Sequence, residues 1–134
     1  MRGAMPLVAL MLGAAQAPNA PIEGLWKNPS GTAIISIASC GREHCGKVAW
    51  ASPRGQRDVA ANTRNVVGTT VLTHVKAIGD HWVGALYVPD DNIHVSARLE
   101  PQGSRELKLT GCAFAGLFCR TQIWTRVDAL PSGG

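Results

Sequence analysis

Hydrophobic and polar residues alternate along most of this chain. Ile93, Val95, Ala97 and Leu99 alternate with His94, Ser96 and Arg98, and Leu107 and Leu109 alternate with Glu106, Lys108 and Thr110. Period-two alternation places one side chain in the core and the next in water, the pattern of a half-buried β-strand. Eight such runs are predicted: Ile22–Lys27, Thr32–Ser39, Gly46–Ala51, Thr69–Ala77, His81–Val88, Ile93–Leu99, Glu106–Gly111 and Arg120–Val127. Turn-forming clusters divide them, among them Asn28-Pro29-Ser30-Gly31, Gly79-Asp80 and Pro89-Asp90-Asp91-Asn92. No segment after the first 21 residues carries a helical stripe. Ser52 to Asn65 is polar, basic and too long for a hairpin turn, and reads as a large loop folded over one end.

Strands joined mostly by hairpins predict an all-β fold, a single antiparallel up-and-down barrel of about eight strands, which removes exposed edges by closing on itself. Trp26 lies in the first run and Arg126 in the last. Closure brings those strands together, so this pair is expected to form a structural seam, the guanidinium stacked on the indole. A barrel of this size is either filled by its own side chains or holds one small ligand.

The chain has 134 residues, enough for one domain. Residues 1–17 read as a signal peptide: Arg2, an apolar run from Met5 to Leu12, then small residues that allow cleavage near Ala15 or Ala17. Residues 18–21 are expected to be a linker, 22–128 the barrel domain and 129–134 a disordered tail. A periplasmic location follows from that leader.

Four cysteines in a short exported chain suggest two disulfides. Three connectivities are possible; Cys40–Cys45 and Cys112–Cys119 are favoured because each pair flanks one short loop. A four-thiolate zinc site is the alternative, but the four and six intervening residues are not the usual knuckle spacing. The formal net charge is +4, with basic residues scattered rather than clustered, so no nucleic-acid partner is expected.

The candidate functional residues are few. Trp26, Trp50, Trp82 and Trp124 each fall in a different strand. Trp50, Trp82 and Leu86 lie on apolar faces and are expected to line a pocket for a small apolar or amphipathic ligand, unless the indoles plug the barrel. Arg64 is expected at its rim, and Arg54 and Arg57 in the same loop could join it in holding an anion, or Asp58 could neutralise one of them. Arg120 is open to either solvent or the barrel end. His44, His74, His81 and His94 lack metal-ligand spacing, so no metal site or cofactor is expected. Nucleophile elbows and phosphate loops are missing from the sequence, and a non-enzymatic protein is expected.

The residues Ile22-Glu23-Gly24-Leu25-Trp26-Lys27, Cys40 with Cys45-Gly46-Lys47-Val48, the Asp58…Asn62…Arg64…Gly68 loop, Trp82 to Pro89, and Cys112…Cys119 to Val127 together resemble the bacterial family called domain of unknown function 2147. Ala85 stands where that pattern has a glycine and His94 where it has an aromatic. The long loop is also shorter and poorer in proline than the family's. The resemblance implies a small exported lipocalin-like (calycin-like) or streptavidin-like barrel. Two functions compete from this reading. One is a carrier of a small apolar or amphipathic molecule. The other is a filled barrel that grips or inhibits an envelope protein through its loops, with a patch at Arg54 to Arg64. A monomer without membrane insertion is expected in either case.

Overall fold

Each alternating run becomes a strand paired antiparallel with its neighbours in sequence: β1 (Gly24–Lys27), β2 (Ala33–Cys40), β3 (Glu43–Ala51), β4 (Thr70–Ile78), β5 (His81–Val88), β6 (Ile93–Gln102), β7 (Glu106–Ala113) and β8 (Phe118–Val127). The computed structural model describes residues 20–60, 62 and 65–131. The expected signal peptide, Arg64 and the end of the expected tail (132–134) lie outside the described residues. Strand β1 pairs with both β2 and β8, so the eight strands form a closed up-and-down barrel with no free edge.

Two strands begin earlier than the alternation suggests, β3 at Glu43 rather than Gly46 and β8 at Phe118 rather than Arg120. Both extensions carry the ladder to the disulfide-closed turns. Cys112 and Cys119 sit directly opposite each other across β7–β8, and Cys40 bonds Cys45 diagonally across the β2–β3 turn. Closing loops this short stabilises by about 2 kcal/mol each in the chain-entropy account.

The segment after β3 is not loop throughout. A six-residue helix, α1 (Pro53–Asp58), follows Ser52, whose side chain accepts a hydrogen bond from the Gly55 backbone N–H. Ser-Pro is a sound helix start, with a capping hydroxyl and a proline that needs no N–H in the first turn. The helix buries none of its residues, so it leaves no apolar stripe to read.

The barrel's lower end is solid. Ile22, Trp26, Ile37, Leu72, Val75, Leu99 and Leu107 are its largest fully buried side chains. Trp26 and Arg126 are direct partners in the β1–β8 register, and the guanidinium lies 4.3 Å from the indole centroid. Arg126 also donates from Nη1 to the Glu23 carbonyl (2.7 Å), from Nη2 to the Pro21 carbonyl (2.7 Å) and from Nε to the Ser104 carbonyl (2.8 Å). The Trp26 indole N–H donates to the Ile22 carbonyl at 2.8 Å. Residues 20–23 are therefore drawn under the barrel, Ile22 as its plug, although 20 and 21 read as linker. Gly24 permits this closeness: its φ is +130°, and a β-carbon there would collide with Arg126 Nη1. Beside the plug, His44 Nε2 and Glu23 Oε2 are 2.7 Å apart.

Candidate functional site

The opposite end of the barrel is open and leads into a cavity of about 1060 Å³. Its walls come from inward positions of the strands: Ile35 on β2, Val48 on β3, Val71 on β4, Leu86 on β5, Val95 on β6 and Leu109 on β7. Strand β8 contributes Trp124, Gln122 and Arg120, in order from the floor upwards. The volume is slightly above the range usual for small-molecule sites.

Small residues on β7 shape the wall here. Gly111 faces Arg120 across β7–β8 and offers no side chain to the interior. A β-carbon on it would sit 3.2 Å from Val95 Cγ2 and 3.6 Å from Leu86 Cδ2. Ala113, opposite Phe118, is small for the same effect nearer the rim.

The mouth is framed by the described residues between Ser52 and Thr69 and by three hairpin turns, β1–β2, β5–β6 and β7–β8. Val59 and Val66 turn inward and are buried, so the segment folds over the cavity edge rather than away from it. Asn62 Nδ2 donates to the carbonyls of Pro89 (2.9 Å) and Asp90 (3.1 Å), tying that segment to the β5–β6 turn. Arg54 and Asp58 both line the mouth, 3.9 Å apart across one helical turn. On the β7–β8 turn, Phe114, Leu117 and Phe118 are 75%, 78% and 66% exposed, with the two phenyl rings packed edge to face.

The residues expected in the lining divide. Leu86 lines the cavity. Trp50 does not, and the reason is a β-bulge. Ile35 faces Val48 but its neighbour Ile34 faces Trp50, so Val48 and Trp50, two apart, no longer share a face. Trp82 is not in the lining either. It lies opposite Leu99 near the start of β5 and packs on the core of the closed end. Arg64 lies outside the described residues. The barrel is thus not plugged by indoles: Trp26 and Trp82 fill its closed end, and Trp124 forms the cavity floor.

Arg120, left open by the sequence between solvent and the barrel end, lines the cavity, and Gln122 and Gly111, not singled out as lining, join it there. The signal was present, since Arg120 and Gln122 share the alternating face of buried Trp124. Alternation alone does not say which face of β8 is wet, so the sequence leaves their side of the wall open.

The histidines are spread around the barrel. His44 pairs with Glu23, His74 with Glu43 (3.0 Å) and His81 with Asp80 (3.2 Å), while His94 stacks on Tyr87 with ring centroids 4.8 Å apart. The first two carboxylates come from segments distant in sequence and were not legible beforehand. Asp80 is held below the usual carboxylate range, chiefly by its hydrogen bond with His81. Among the described residues, His, Cys, Asp and Glu nowhere gather in groups of three or more that could hold a metal ion. Among the same residues no helix is long and apolar enough to cross a membrane.

A family model described as "Uncharacterized protein conserved in bacteria (DUF2147)" matches residues 24–126. No curated protein matches the chain. Among solved structures, protein HP1028 from Helicobacter pylori, described as belonging to the lipocalin family, aligns with a TM-score of 0.61 at 13% identity. The alignment covers 80% of this chain and 83% of that one. At that identity the likeness is one of fold.

Proposed function

The chain belongs to the bacterial DUF2147 family, and from its barrel we propose that it binds a small apolar or amphipathic molecule in the open cavity, without catalysis. One observation carries the reading: an open cavity of about 1060 Å³, its wall apolar at Ile35, Val48, Val71, Leu86, Val95 and Leu109 and polar towards the mouth, set above a floor packed solid. Burial there drives binding by about 25 cal/mol per Å² of apolar surface removed from water. The lipocalin description of HP1028 is consistent with a binding protein and is silent on the ligand here.

Export is part of the proposal. Disulfides Cys40–Cys45 and Cys112–Cys119 suit an oxidising compartment, and the apolar run before Ala15 suits a cleaved leader into the periplasm. Native mass spectrometry of the protein purified from its own cells tests the binding role. A retained small molecule of defined mass supports it. A ligand-free protein that also ignores fluorescent fatty-acid probes contradicts it.

One observation favours a second reading, docking onto an envelope protein. Phe114, Leu117 and Phe118 form an exposed apolar tip on a disulfide-braced hairpin. That reading is preferred if a partner captured by the wild type is lost from a Phe114→Ser, Leu117→Ser variant while no small molecule is retained.

A further inference from the structure

Resting on the cavity reading above, the chemistry of β8 narrows the ligand class. Three of its inward positions lead from the middle of the wall to the floor: Arg120, Gln122 and Trp124, opposite Gly111, Leu109 and Leu107 of β7. The Trp124 indole N–H donates to Gln122 Oε1 at 2.9 Å. An indole nitrogen can only donate, so this bond fixes the amide's orientation. The amide oxygen takes this bond at the floor, and the –NH₂ group keeps its two donors available.

Arg120 lines the same cavity. Among the described residues the arginines in ion pairs are Arg54, Arg98 and Arg105, and Arg126 is spent on carbonyls under the floor. Arg120 has no such partner there. It faces Gly111, where the missing side chain lets Val95 and Leu86 pack close to the β7 backbone. The cavity's carboxylates, Asp58, Asp90 and Asp91, sit apart on α1 and the β5–β6 turn.

Polarity within the cup is therefore sorted. Arg120 and Gln122, both exposed to the open cavity, set a guanidinium and an amide on the wall above Trp124, and the acids stand at the rim. A group that only accepts hydrogen bonds and carries negative charge complements that wall: an ionised carboxylate. The two donors lie two residues apart on one face, about 7 Å along the strand, a gap the long arginine stem spans. Below Gln122 the floor closes at once, so a chain attached to the acid has room only towards the mouth.

We infer that Arg120 and Gln122 form the head-group site for an amphiphile carrying a single carboxylate. The ligand enters acid end first. Its chain lies along Leu86 and Val95 and finishes among Phe114 and Phe118, which are otherwise left bare to water.

Calorimetric titration of the full chain with dodecanoate and with dodecanol, below their aggregation limits, tests this. Wild type is expected to bind the acid roughly tenfold or more tighter than the alcohol, the value of a charge-assisted hydrogen bond. Arg120→Met is expected to abolish that preference and keep dodecanol affinity, with an unchanged thermal midpoint as the folding control. Gln122→Leu is expected to reduce the preference severalfold. Equal affinity of the wild type for acid and alcohol, or a preference that survives Arg120→Met, overturns the head-group site and leaves the cavity reading intact. Should neither compound bind, both fall together. If Arg120→Met fails to fold, the wild-type comparison of acid with alcohol still decides.

Discussion

The two ends of this barrel are made by the same eight strands and differ in what their inward positions carry. At the closed end those positions hold Trp26, Ile37, Leu99 and Leu107, all fully buried, with Ile22 beneath them. At the open end they hold Val71, Leu86 and Val95, with Gly111 and Ala113 on β7 and the polar Gln122 and Arg120 on β8, around a space left unfilled. Strand number fixes the diameter of a barrel, so side-chain volume decides whether a given level is core or cavity. Stability is concentrated at one end, and the other is released from packing and free to hold a ligand.

Polar groups follow the same division. Arg126 at the closed end is committed to the Glu23, Pro21 and Ser104 carbonyls and to the Trp26 face. Arg120, six residues earlier on the same inward face of β8, pairs with no acid or carbonyl among the described residues. Two arginines on one face of one strand thus take opposite parts: one closes the seam, the other is available.

That contrast can be broken most severely at the floor. Trp26→Ala removes a fully buried indole together with its bond to the Ile22 carbonyl and the platform for Arg126. A loss of about 3–5 kcal/mol in urea unfolding is expected, a large fraction of a small domain's stability. At the mouth, Ala113→Trp puts a comparable volume onto the cavity wall. Its expected effect on unfolding is below about 1 kcal/mol, because no packed neighbour is displaced. Affinity for dodecanoate should nevertheless fall by an order of magnitude, as titration would register. A destabilisation as large as that of Trp26→Ala would mean the mouth is packed core.

The smallest effect lies outside the comparison, on the β4–β5 turn at the closed end. The Asp80 carboxylate is held below its ordinary value, first by the hydrogen bond from His81. A depressed carboxylate stabilises the fold above its unfolded pKa, and the contribution disappears as pH falls through the folded value. NMR titration should therefore place the Asp80 midpoint under 3.8, and any stability change tied to it should appear only in acid below that pH. A midpoint at or above 3.8 would remove the His81 bond from the account.

Much of this architecture is legible in the chain, for physical reasons that particular residues make plain. Leu107 and Leu109 alternate with polar neighbours in a regular strand, so their inward placement follows from period two alone. Trp26 and Arg126 are read correctly as a seam because closure leaves the first and last strands no other partner. Trp50 fails because one extra residue in a bulge inverts the face, and nothing local in Val48-Ala49-Trp50 marks the bulge. Trp82 fails for a different reason. Alternation identifies an inward face but not the height along the barrel at which packing stops. Arg120 stays open between solvent and the barrel end because a charged side chain suits an exterior face and an interior open to water equally. Pairings such as His44 with Glu23 join segments that only the closed barrel brings together.

The most direct test of the division into floor and cup is backbone amide NMR of the full chain during titration with dodecanoate. Shift changes should concentrate on Leu86, Val95, Gly111, Arg120 and Gln122, with Trp26, Leu99 and Leu107 at the closed end unmoved. Perturbations confined to the outer face of the barrel, or none at saturating concentration, would contradict the account.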